Sequence, residues 1–322
     1  MRHVDVFDNL SSGGFVKDRS NNHHSVRVGY MGPGVSTFGY QALQKFFANK
    51  GFETIEPVEF NNHGEVCWAV GNMDVDYGVV GIENVIDGVV AETVRAIESV
   101  DSHLGLKIWG EVTLPIELFY MNQSGDETQI KKLISHKTAI GQSRKFVSTL
   151  QALGIIINDL SDDQKTSTSR GAELASEDPE VAAIASKAAL ENFGLKLVRE
   201  ESVTDYKNSA TRFWILGKQH ARFENSGDVK SKFKTCFLAN LEQTASGVLY
   251  KTLGVFASHE ISVLLIYPSP ILGKRWEYTF VLEVSGYVSE PRMLEAWEDF
   301  RKLGISLLPL RFLGSYPDVT SL

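Results

Sequence analysis

Val26-Arg-Val-Gly-Tyr-Met-Gly-Pro-Gly-Val-Ser-Thr-Phe38 decides the fold class of this chain. Residues 26–30 read as a strand and Gly32-Pro-Gly34 as the loop after it. An amphipathic helix then runs to about residue 49, with Leu43, Phe46 and Phe47 at helical spacing. Working outward, Val66-Cys-Trp-Ala-Val70 predicts a helix ended at Gly71, Asp76-Tyr-Gly-Val-Val80 a short buried strand, and residues 89–100 a helix. A second set of units follows: strands at 116–121, 132–135 and 181–185, and helices at 143–153 and 186–193. Strands alternating with helices across short loops imply an α/β sheet with helices on both faces.

The rhythm changes after residues 218–231, a polar stretch centred on Glu-Asn-Ser-Gly-Asp that reads as a linker. Residues 233–241 form a strand, and residues 247–259 a helix burying Leu249, Leu253 and Phe256. A strand at 261–267 follows; then Trp276, Tyr278, Phe280, Leu282 and Val284 alternate strictly and mark one face of another. Pro291 opens a helix burying Met293, Trp297 and Phe300, and residues 305–312 close the unit as a strand. The order is βαββαβ, an α+β ferredoxin-like module spanning residues 232–317, with 318–322 as a tail.

Composition narrows the class of function. The 322 residues are 43% hydrophobic and 22% charged, values of an ordinary globular protein. Net charge is −8, which argues against nucleic acid as a partner because phosphate neutralisation needs a basic face. No apolar run approaches the ~20 residues of a membrane span, so no membrane partner is expected. Two cysteines far apart, Cys67 and Cys236, lack zinc-ligand spacing and suit a reducing, cytoplasmic compartment. Residues 1–25 carry no apolar targeting segment and read as a flexible extension; His23 and His24, without further ligands, predict no metal.

Five segments place polar side chains where open α/β folds bind ligands, at strand ends and helix starts. Ser36 and Thr37 sit at the first strand-to-helix junction, where backbone N–H groups suit a carboxylate; helix capping explains them equally well. Glu83 and Asn84 follow the strand ending at Val80, with capping of the next helix as the bland alternative. Ser135 and His136 follow another strand, and Ser167 and Thr168 begin a helix. Thr211-Arg-Phe213 joins a polar loop to an apolar strand, and an arginine beside a hydroxyl suits a carboxylate ligand.

Taken together, Gly-Pro…Thr-Phe, Asp-Tyr-Gly-Val-Val-Gly-Ile-Glu-Asn84, Ser135-His136, Ser167-Thr168, Ala182-Ala-Ile-Ala-Ser186 and Asp205-x5-Thr-Arg-Phe213 resemble the prephenate dehydratase catalytic domain in order and spacing. Gly247-Val-Leu-Tyr250, Trp276-Glu-Tyr278 and Leu313-Gly-Ser-Tyr-Pro317 are similar to that family's ACT domain. The resemblance implies a two-lobed catalytic domain over 26–217, like a periplasmic binding protein, and a homodimer or homotetramer built through the ACT domain. It implies loss of CO2 and water from prephenate, or arogenate in some relatives, to give the aromatic product, with no metal or organic cofactor. By position Thr211 matches the proton donor. Ser36 or Thr37, Glu83, Asn84, Ser135, His136, Ser167, Thr168, Arg212 and Phe213 match the substrate pocket. Gly247, Val248 and Leu249 match an effector site.

The departures are specific. The family's Gly-Pro-x-Gly-Thr-Phe gains a residue here, Pro-Ile-Glu-Asn-Ser becomes Gly81-Ile-Glu-Asn-Val85, and Ser-His-Pro-Gln becomes Ser135-His-Lys-Thr138. The Asn two residues before the threonine is Ser209. Where phenylalanine-responsive relatives carry Glu-Ser-Arg-Pro, this chain reads Tyr267-Pro-Ser-Pro270, so weak or absent phenylalanine feedback is expected. The altered pocket keeps three alternatives open: a non-aromatising prephenate decarboxylase, an arogenate dehydratase, and a catalytically dead amino-acid-sensing module.

Overall fold

The computed structural model describes residues 25–48, 50, 52–100, 104–160, 167–218, 232–240, 246–302 and 311–319. The expected N-terminal extension with His23 and His24, nearly all of the linker and most of the expected 305–312 strand lie outside the described residues.

Lobe 1 is a sheet in the order β2-β1-β3-β11-β5. It is built from β1 (Ser25–Met31), β2 (Thr54–Phe60), β3 (Tyr77–Asn84), β4 (Gly88–Val89, paired with β3), β5 (Lys107–Pro115) and β11 (Ala210–Gly217). β1 pairs in parallel with β2 and β3, whereas β11 runs antiparallel to β3 and β5. The helices α1 (Phe38–Phe47), α2 (His63–Asn72) and α3 (Ala91–Ser99) complete the lobe. α1 buries Ala42, Leu43 and Phe47, as the helical spacing requires.

Lobe 2 lies between β5 and β11 in sequence, in the strand order β10-β6-β9-β7-β8. It comprises β6 (Phe119–Asn122), β7 (Lys132–Ser135), α4 (Lys137–Gln142), α5 (Arg144–Ala152), β8 (Ile156–Asp159), α6 (Thr168–Glu177), β9 (Val181–Ala185), α7 (Ala188–Phe193) and β10 (Lys196–Leu197). Leu133, Ala182 and Ile184 anchor one core and Met121, Ala183 and Ala185 the other, so both faces of this sheet are covered.

The C-terminal unit is β12 (Phe233–Asn240), α8 (Val248–Ser258), β13 (Val263–Pro270), β14 (Tyr278–Ser285), α9 (Pro291–Lys302) and β15 (Arg311–Pro317). The βαββαβ order folds into an antiparallel sheet β13-β14-β12-β15. Its helix-facing side forms a core of Phe237, Phe256, Leu282, Met293, Trp297 and Phe300. Its other side is not solvated. Cys236, Leu238, Val281, Leu313 and Tyr316 share one core with Val66, Val70, Val94, Ile97 and Trp214 of lobe 1. Contact is closest where β15 crosses β5: a Cβ on Gly314 would lie 2.3 Å from the Ile108 carbonyl oxygen, so only glycine fits.

Several boundaries depart from the sequence reading. Gly71 does not end α2; Met73 takes the left-handed cap at φ 66°, and Gly71 instead lets α2 approach Val100. β3 continues to Asn84, so Glu83 and Asn84 are strand residues rather than a helix cap, and α3 is capped at Val90. Likewise Thr211 and Arg212 lie inside β11. β6 begins at Phe119 rather than residue 116. α8 buries Val248, Thr252, Val255 and Phe256 and leaves Leu249 37% exposed, a stripe displaced from the expected one. Trp276 lies outside β14 and is 76% exposed.

Candidate functional site

The candidate residues gather where the carboxyl ends of parallel strands from the two lobes meet. Ser36 follows β1 and is 1% exposed. Its hydroxyl lies 2.5 Å from the hydroxyl of Ser169 on α6, and its carbonyl oxygen accepts from the Ser186 hydroxyl at 2.7 Å. Thr37 instead serves its own helix, accepting from the Tyr40 N–H at 3.3 Å and donating to the Gly34 carbonyl at 3.1 Å. Of the two hydroxyls the sequence left open, Ser36 is the one at the lobe contact. The Gly34 N–H, expected to face a ligand carboxylate, is occupied by Glu59 Oε1 at 2.8 Å. Nothing in the spacing of the motif reveals Glu59, which arrives from the paired strand β2.

Asn84 and Thr211 form the second group. They are register partners across β3 and β11, and Asn84 Nδ2 donates to Thr211 Oγ1 at 2.8 Å. The N–H groups of Ile86 and Asp87 donate to Asn84 Oδ1 at 2.8 and 3.1 Å. Those two donors settle which end of the amide faces Thr211. With its oxygen already accepting, the Thr211 hydroxyl keeps its proton for another acceptor. Gln142 of α4 donates to Asp87 Oδ2 at 2.7 Å, which ties this turn to lobe 2.

Other candidates are committed locally. Ser135 donates to the Ile184 carbonyl at 2.6 Å and is fully buried. His136 caps α4, its Nδ1 accepting from the Thr138 N–H at 3.3 Å. Burial, and then the charge of Lys137, lowers its pKa, which favours the neutral ring. Ser167 caps α6 by accepting from the Arg170 N–H at 3.1 Å, and Thr168 opens that helix half-buried. Phe213 is 4% exposed and belongs to the core with Val28, Tyr30 and Leu43. In the C-terminal unit Gly247 takes the left-handed start of α8 at φ 74°, with Val248 in the core and Leu249 half exposed.

Arg212 and Glu83 require a correction. Side chains alternate along a strand, so Arg212 points away from Thr211, and Glu83 away from Asn84. The Arg212 guanidinium is 7% exposed and faces the C-terminal sheet. Its Nη1 donates to Glu283 Oε1 and Oε2 at 2.7 and 2.8 Å and to Glu111 Oε2 at 3.0 Å, and its Nη2 to Glu83 Oε2 at 2.9 Å. Lys234 bridges Glu111 at 2.9 Å and Asp318 at 3.1 Å, and the Tyr316 hydroxyl bonds Glu283. Burial alone would lower the arginine pKa, but the adjoining carboxylates, Glu283 foremost, raise it instead. Three carboxylates therefore hold the guanidinium that was expected to meet the substrate. Glu111 lies between Gly110 and Val112, Glu283 between Leu282 and Val284, and Lys234 between Phe233 and Thr235, so no polar motif marks any of them in the sequence.

Among the described residues no group of three or more His, Cys, Asp or Glu side chains is placed to hold a metal. The chemistry on offer is that of neutral hydroxyls and an amide at the strand ends, beside an ionic cluster in which Arg212, Glu111, Glu283 and Lys234 are buried and Glu83 is partly exposed.

These features define a two-lobed α/β protein with a candidate small-ligand site at the strand ends and an α+β module packed on one lobe. The family model for prephenate dehydratase matches residues 28–221. The bifunctional chorismate mutase/prephenate dehydratase of Aquifex aeolicus is 30% identical over 300 residues, covering 91% of this chain and 74% of that protein. The prephenate dehydratase of Lactococcus lactis subsp. cremoris is 25% identical over 294 residues, 90% of this chain and 97% of its own length. A solved prephenate dehydratase from Arthrobacter aurescens, in complex with L-Phe, superposes with a TM-score of 0.76 at 25% identity, covering 92% of this chain and 91% of its own. The chain belongs to the prephenate dehydratase family.

Proposed function

We propose that this protein is a lyase that converts prephenate to phenylpyruvate, CO2 and water in phenylalanine biosynthesis, with Thr211 as the proton donor. The ring carboxylate leaves as CO2, and its bonding pair moves into the ring. The ring C–O bond breaks at the opposite end, and the departing hydroxyl takes the Thr211 proton to leave as water; solvent restores that proton. The observation that carries this reading is the Asn84 amide on Thr211 Oγ1, which aims the hydroxyl proton elsewhere. Threonine is a weak acid, so aromatisation supplies the driving force. Positioned proton donation adds about 10²–10⁴-fold. Ser36 and the α6 hydroxyls Ser167 and Thr168 supply neutral donors for the substrate carboxylates.

The C-terminal unit reads as an ACT domain whose exposed Leu264, Ile266 and Leu272 would meet a second copy of the chain. Phenylalanine binding should be weak. Where phenylalanine-responsive relatives carry a Glu and an Arg, this chain has Tyr267 and Ser269, and Ser269 donates to Glu98 Oε2 of lobe 1 at 2.7 Å. Cytoplasmic residence fits two free, buried cysteines.

Proton NMR of prephenate incubated with the protein tests the reaction. Aromatic phenylpyruvate signals above the spontaneous rate are expected. Persistent ring vinyl protons with loss of CO2 would mean a non-aromatising decarboxylase, and unchanged prephenate would turn attention to arogenate.

A further inference from the structure

The buried ionic cluster lies directly behind the Asn84–Thr211 pair. β3 and β11 each contribute two adjacent residues, one to each face: Asn84 and Thr211 toward the lobe contact, Glu83 and Arg212 toward the C-terminal sheet. The ladder is irregular at this point. Arg212 pairs with Glu83, but Phe213 pairs with Gly81, so Ile82 is left over as a bulge immediately beside the two pairs. On the β3 side the regular ladder that carries Thr211 ends at the Arg212–Glu83 pair, whereas β5 pairs with β11 without a break from Ala210 to Ile215. Bulges re-aim neighbouring side chains, so the anchoring of Arg212 beside this one bears on the aim of Thr211.

The cluster is suited to that task. Glu283 is 1% exposed, grips Arg212 with both oxygens, and is itself held by the buried Tyr316 hydroxyl. Both Glu283 oxygens meet Nη1 while Nη2 is held by Glu83, so the planar guanidinium is fixed at two of its nitrogens. Burying such an ion pair gains little stability over apolar packing of equal volume, so its value lies in the geometry it imposes.

We infer that Glu283, acting through Arg212, is a positioning residue for the Thr211 hydroxyl, so that the C-terminal sheet sets the geometry of proton donation in lobe 1. This rests on the reading of Thr211 as proton donor. Glu283 touches no substrate; it holds the strand that carries the donor. A donor displaced by about 1 Å can lose as much as ~10²-fold in rate, and loss of one charge from a retained cluster should give a smaller displacement.

The test is a kinetic cycle on the full chain with prephenate: wild type, Glu283→Gln, Thr211→Ala and the double variant. Glu283→Gln should lower kcat about 10-fold while KM moves less than about twofold, because the donor acts only in the transition state. In the Thr211→Ala background the same change should cost nothing further. Wild-type kcat in folded Glu283→Gln would overturn the inference, as would an equal loss in both backgrounds, which marks a general structural defect. If Glu283→Gln does not fold, Tyr316→Phe loosens Glu283 at constant shape; it should lower kcat about threefold, and an unchanged kcat overturns the inference equally. Wild-type turnover in Thr211→Ala would instead overturn the assignment of the proton donor, and the inference with it. A large loss there with no effect of Glu283→Gln removes the positioning role alone.

Discussion

The two faces of β11 differ more than any two distant parts of the molecule. Thr211 lies beside a neutral amide at the junction of the lobes, whereas Arg212, one residue on, is sunk among Glu83, Glu111 and Glu283 against the C-terminal sheet. Neutral hydrogen bonds leave a hydroxyl free to give up its proton. A guanidinium committed to three carboxylates has its charge already matched within the protein. Adjacent residues of one short motif thus take part in separate tasks, one chemical and one architectural, because strand alternation sends them to opposite surfaces.

Substitutions on the two faces should separate these tasks. The largest loss of stability is expected for Arg212→Leu, which strands buried carboxylates without their partner; a cost of about 3–5 kcal/mol should appear as a lowered urea midpoint. A midpoint within error of wild type would show that the cluster is dispensable. Gly314→Ala forces a methyl group into the Ile108 carbonyl and should cost about 1–3 kcal/mol by the same measurement. On the other face, Asn84→Asp replaces the donor to Thr211 with an acceptor that captures its proton. A roughly 10-fold lower kcat is expected; an unaltered kcat would mean that the amide does not orient the hydroxyl.

The smallest effect is a pH dependence at the core of lobe 1. His63 opens α2, is nearly buried, and its Nδ1 has no hydrogen-bond partner among the described residues. Burial lowers its pKa, only partly opposed by the charge of Glu92. Below the unfolded value near 6.5 the unfolded chain binds a proton that the folded chain refuses, so this contribution to stability falls as pH drops from ~6.5 toward the folded pKa. The thermal midpoint should fall less between pH 7.5 and 5.5 in His63→Gln than in wild type. Equal falls would assign the dependence to other groups.

How much of this was legible in the sequence follows the same division. The βαββαβ order and the buried face of α9 were readable because each depends on local periodicity: Met293, Trp297 and Phe300 are buried as expected. Thr211 and Asn84 were readable as motif residues at strand ends. Arg212 was read correctly as an anion-binding group but given the wrong anion, because its carboxylates lie 71 to 129 positions away. Glu283 sits between Leu282 and Val284 on a strand whose apolar alternation suggests one dry face, yet a second domain dries the other as well. β2 escaped detection because only Ile55, Val58 and Phe60 break an otherwise polar, exposed edge strand. Gly71 read as a helix stop, since a lone sequence does not distinguish a glycine that ends a helix from one that admits its neighbour.

The most direct test is Thr211→Ala, measured in parallel for phenylpyruvate formation from prephenate and for its urea midpoint. The rate should fall by about 10²–10⁴ while the midpoint stays within about 1 kcal/mol of wild type, since one hydroxyl, one methyl group at a part-buried position and one exchangeable hydrogen bond are removed. A variant that turns over prephenate at the wild-type rate would contradict the division between the two faces at its chemical end.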